Sequence, residues 1–79
     1  MALQVAKVAD KIHELLRKRG VDVVTLTWPD FYAVSERERI KVEFQSDLTR
    51  ALKGLGLLVC YGDAIVLVAK DYAFGRVKL

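Results

Sequence analysis

Arg39, Ser46, Thr49 and Lys53 recur at intervals of seven, three and four, which would set them along one side of an α-helix. Val42 shares that side, and Gln45 and Arg50 flank it. These side-chain types suit nucleic acid. Arg and Lys pair with phosphate or guanine, Gln with adenine, and Ser or Thr with a base edge or a phosphate. Glu43 and Asp47 border the same face and would repel phosphate. A polar face opposite an apolar stripe is also what any solvated helix presents, so the chemistry depends on what positions it.

The rest of the chain offers little else that reacts or ligates. His13 is the only histidine and Cys60 the only cysteine, so neither a metal site nor an intramolecular disulfide can be assembled. Cys60 sits in an apolar run and is expected to be a small packed hydrophobe. No Gly-rich phosphate loop and no nucleophile–base pair occurs. The expectation is a protein that is not an enzyme and has no metal, cofactor or small-molecule ligand. Trp28 could stack on a base, but it is read as a core anchor.

The elements that must position the polar face follow from periodicity. Val5, Val8, Ile12, Leu15 and Leu16 form a helical stripe, and Arg17, Lys18 and Arg19 precede Gly20, as suits a helix end. This predicts a first helix over about 3–19. "VDVVTLT" predicts one short strand. Thr27, Pro29 and Asp30 then mark the start of a short second helix.

Ser35 and Glu38 have the spacing of a capping box and predict the start of a third helix. In the alternative placement, helix 2 runs to about Ile40 and the break falls near Lys41 to Glu43. Ile40, Phe44, Leu48, Ala51, Leu52 and Leu55 repeat every three or four residues. The buried stripe of helix 3 is placed at Phe44, Leu48, Ala51 and Leu55, and Gly54 and Gly56 stop the helix. Under both placements Gln45, Ser46, Thr49, Arg50 and Lys53 stay helical.

"LLVCY-GD-AIVLVA" predicts a hairpin closed by Gly62-Asp63. That closure pairs Tyr61 with Ala64, Val59 with Val66 and Leu57 with Val68 on one face. Leu58–Leu67 and Cys60–Ile65 take the other. Both faces are apolar, so one needs a cover: the tail, through Tyr72, Phe74, Val77 and Leu79, or a second copy of the chain.

The order α-β-α-α-β-β with a short C-terminal tail, and the stretch "SDLTRALKGLGLLV" with its L-x-x-A-L-x-x-L-G rhythm, resemble the winged helix-turn-helix group over about residues 3–70. The resemblance implies a small α+β domain in which helix 3 enters the major groove, helix 2 braces it and the hairpin forms a wing. It implies a sequence-selective double-stranded DNA-binding protein, a small transcriptional regulator or repressor acting as a homodimer. The expected contacts are Arg39, Gln45, Ser46, Thr49, Arg50 and Lys53. Lys70, Arg76 and Lys78 could add backbone contacts. The hairpin tip departs from the pattern, because Gly62 and Asp63 offer no cation. The alternative is a winged-helix module that binds protein through its apolar hairpin, without nucleic acid.

Composition fits both readings. Seventy-nine residues make one domain, 1–79 with 70–79 as tail, and 53% hydrophobic residues exclude disorder. No apolar run approaches the roughly 18 residues that span a bilayer, and charges interrupt the N-terminal stretch, so no membrane or leader segment is expected. The cytosol is the expected compartment. A net charge of +3, from 13 basic and 10 acidic residues, permits nucleic-acid binding without requiring it.

Overall fold

Val8, Ala9, Ile12 and Leu16 fall on one stripe of α1 (Val5–Arg19) and are sealed from solvent. The helix ends where Gly20 turns left-handed at φ 63°, a conformation a Cβ would strain, and its N–H bonds the Arg17 carbonyl. The computed structural model describes residues 3–72 and 76–79. Its further elements are β1 (Val23–Thr27), α2 (Trp28–Ser35), α3 (Val42–Gly54), β2 (Leu57–Tyr61) and β3 (Ile65–Lys70). The element order is the one anticipated: an α+β fold of three helices and a three-stranded antiparallel sheet in the order β1-β3-β2. No helix among the described residues is long and apolar enough to cross a membrane.

Thr27 caps α2 as its sequence implies, its Oγ1 accepting the Asp30 N–H at 3.3 Å. Such a cap contributes about 1 kcal/mol. The far end of α2 differs from both expected placements. Ser35 is its last residue, fully buried, and its hydroxyl donates to the carbonyls of Phe31 and Tyr32. The Ser35–Glu38 capping box therefore does not form. Glu36 closes the helix in the left-handed region at φ 53°, and residues 37–41 form an irregular link to α3. The break does lie near Lys41, which is the N-cap of α3, but α2 stops well short of Ile40.

Leu26, Val66, Val68 and Leu57 cover the inner face of the sheet and meet Phe31, Phe44, Leu48 and Leu52 from the helices. The aromatic part of this core is dense. Trp28 meets Phe31 edge-on at 5.6 Å and stacks on Tyr61 at 6.3 Å, while Phe31 lies 6.4 Å from Phe44. Trp28 also donates its indole N–H to the Gly62 carbonyl at 2.9 Å, tying α2 to the hairpin. Trp28 is thus half-buried as a core anchor.

The hairpin register is shifted by two residues from the expected one. Tyr61 pairs with Val66, Val59 with Val68, Cys60 with Leu67, Leu58 with Ala69 and Leu57 with Lys70. Gly62 donates to the Ile65 carbonyl at 2.8 Å, which leaves Asp63 and Ala64 at the tip. A Cβ at Gly62 would meet that carbonyl at 3.0 Å, so this close approach favours glycine. A shift of two preserves which residues share a face.

The outer face carries Val23, Thr25 and Thr27 from β1, Ile65, Leu67 and Ala69 from β3, and Leu58 and Cys60 from β2. Val23, Leu58 and Ile65 are 41%, 49% and 38% exposed. Cys60 is exposed too, not packed as its surroundings in sequence suggested. Tyr72, Val77 and Leu79 are themselves exposed, and Tyr72 bonds Asp22 instead of sealing the ribbon. Phe74 lies outside the described residues.

Candidate nucleic-acid interface

The outward face of α3 is fixed by what the helix buries. Phe44, Leu48 and Leu52 are buried, Ala51 is half-buried and Leu55 is exposed beyond the helix end. Leu52 therefore replaces Leu55 in the stripe. At about 100° per residue this rotates the buried direction by roughly 30° from the expected one. The rotation brings Arg50 from the flank to the centre of the exposed face, beside Ser46 and Lys53. It also carries Gln45 toward the core, where it is half-buried.

Four of the six anticipated contact residues, Ser46, Thr49, Arg50 and Lys53, are thus brought together, exposed, on one helix face. Val42 lies at its N-terminal edge and is 73% exposed. Thr49 donates its hydroxyl to the Gln45 carbonyl at 2.8 Å. Tyr61 of β2 donates to the same carbonyl at 3.2 Å, so the hairpin holds this side of α3 in place. Burial pushes the Tyr61 phenol above its ordinary pKa, with a hydrogen bond to Thr49 opposing it. It stays a neutral donor through the physiological range. On the other flank Asp47 lies 4.0 Å from Arg50, an exposed pair that leaves the guanidinium available.

Arg39 is placed differently. It belongs to the link between α2 and α3, not to the helix, so it cannot share the helical face. With Arg37 and Lys41 it lines an open cleft at the start of α3, completed by Val5, Glu43, Phe44 and Asp47. Arg37 and Lys41 were missed because "SERER" reads as a helical first turn. The available signal was alternation: residues 37, 39 and 41 share a side only if the backbone is extended.

His13 is exposed on α1, and no group of metal-ligating side chains occurs among the described residues. The hairpin tip presents Asp63 and no cation, as the sequence indicated. Comparison of the chain with protein-family models, with curated proteins and with solved structures returned no match.

Proposed function

We propose that this chain is a winged helix-turn-helix protein that binds double-stranded DNA selectively, with α3 in the major groove, and acts as a small transcriptional regulator or repressor. The observation that carries the reading is the exposed set Ser46, Thr49, Arg50 and Lys53 on one face of a helix that packs on α1 and is tied to the hairpin. A groove-reading helix must be held in place and present several polar groups at once, and the Tyr61 bond to α3 and the four exposed side chains support that reading.

Arg50→Ala and Lys53→Ala should each weaken duplex binding and flatten its salt dependence by about one unit of slope, with stability changed by less than about 0.5 kcal/mol. Thr49→Ala and Gln45→Ala should relax base preference, Gln45 less because it is half-buried. Binding isotherms on a selected duplex, taken beside thermal melts, check all four. Unchanged affinity and selectivity in every variant would move the reading face elsewhere.

The same proposal includes a homodimer. Eight outward sheet positions carry no charge, and three large apolar side chains among them are substantially exposed. An uncharged face is its own complement across a two-fold axis, and such contacts are the commonest symmetric interfaces. Sedimentation at micromolar concentration should show a species twice the chain's 8.9 kDa that dissociates in Leu58→Glu. A single 8.9 kDa species at every concentration would reject it. The rival reading, a module that binds another protein through this face and no nucleic acid, draws on the same exposure and on the acidic tip. It would be preferred if mixed duplex fragments fail to bind at low salt.

A further inference from the structure

The cleft between the α2–α3 link and the start of α3 has a chemistry of its own. Its volume is about 280 Å³, and Arg37, Arg39 and Lys41 stand along it. None of the three forms an ion pair among the described residues, although their neighbour Glu36 is paired with Lys11. The lining carries these three cations against the two carboxylates of Glu43 and Asp47, so it is net positive, and an anion set between the cations lowers their mutual repulsion. Arg37 is held in place. Its guanidinium carbon lies 4.0 Å from the centre of the Phe44 ring, and one terminal nitrogen donates to the Leu3 carbonyl at 3.0 Å. Its Nε is shielded from solvent and has no acceptor. A guanidinium fixed in this way loses little freedom on binding.

Lys41, the N-cap of α3, makes no side-chain bond to the helix, so no side chain caps the first-turn N–H groups of Val42, Glu43 and Phe44. They add donors and a positive helix end to the cations. Glu43 and Asp47 line the same cleft and oppose the cations' attraction for an anion.

We propose that this cleft is a binding site for a phosphate group, with Arg39 and Lys41 as its adjustable ligands and Arg37 as its fixed one. A tetrahedral dianion uses more of these donors at once than a carboxylate does. The group can come from a small phosphorylated ligand or from a nucleic-acid backbone. Binding of the free ion does not rest on the DNA reading.

Amide chemical shifts followed during titration with inorganic pyrophosphate, at constant ionic strength and with chloride as control, provide the test. Saturable shifts centred on residues 39–44 are expected. In Arg39→Ala/Lys41→Ala the affinity should fall by about tenfold or more, while Lys7→Ala/Lys18→Ala on α1 leaves it unchanged. Both pairs are exposed, so the fold is retained and checked from the same spectra. Shifts that never saturate, that chloride reproduces, or that persist in the Arg39/Lys41 variant overturn the proposal. Repeating the titration with duplex present identifies the source: competition assigns the site to a backbone phosphate, and simultaneous binding to a separate small ligand. If no duplex binds at all, the DNA reading fails while the pyrophosphate result stands.

Discussion

Phe31→Ala is expected to destabilise the chain by about 3–5 kcal/mol, the usual cost of emptying a fully buried phenylalanine site. Phe31 has no solvent exposure and lies 5.6 Å from Trp28, 5.9 Å from Tyr61 and 6.4 Å from Phe44, ring centre to ring centre. It therefore links α2, the hairpin and α3. At roughly 0.05–0.15 kcal/mol per residue, a domain this small is stable by about 4–12 kcal/mol in total. The variant should lose a large share of that stability at 25 °C. Denaturant titration of wild type and variant measures the difference. A loss below about 1 kcal/mol would mean that the three elements do not depend on this ring. Phe31→Leu, which keeps most of the volume, should lose much less.

Duplex affinity should fall steeply as salt rises, and the size of the fall reports how many cations touch phosphate. With Arg50 and Lys53 alone, the slope of log affinity against log salt should be about −1.8. A rise from about 50 to about 200 mM would then weaken binding by roughly tenfold. If Arg39 and Lys41 also hold a backbone phosphate in the cleft, the slope approaches −3.6, roughly a 150-fold loss over the same range. Fluorescence anisotropy on one duplex at four salt concentrations distinguishes these outcomes. A flat response with measurable binding would contradict phosphate contact by any of them. Absence of binding even at the lowest salt would favour the protein-interaction reading.

Local patterns in the sequence determined the order of elements and most of their limits. The apolar spacing of Val8, Ile12 and Leu16, the Thr27 cap and the glycines near residues 54–56 act through neighbours a few positions away, so they are legible without a fold. The exposure of Ser46, Thr49, Arg50 and Lys53 was legible for the same reason, since any rotation that buries Phe44 and Leu48 turns them outward.

The remaining features were decided by tertiary packing. The Ser35–Glu38 capping box is a local option worth about 1 kcal/mol. It lost to a structure in which Ser35 is buried against the carbonyls of its own helix and Phe31 packs beside Phe44. That choice took Arg39 off the helix and created the cleft with Arg37 and Lys41. Leu52 and Leu55 both fit the apolar repeat of α3, and which of them is buried depended on where the sheet and α1 lie. The hairpin register was ambiguous because strand side chains repeat every two residues, and a slip of two satisfies the same alternation. The Gly62–Ile65 hydrogen bond belongs to the observed register, in which Asp63 and Ala64 make the tip.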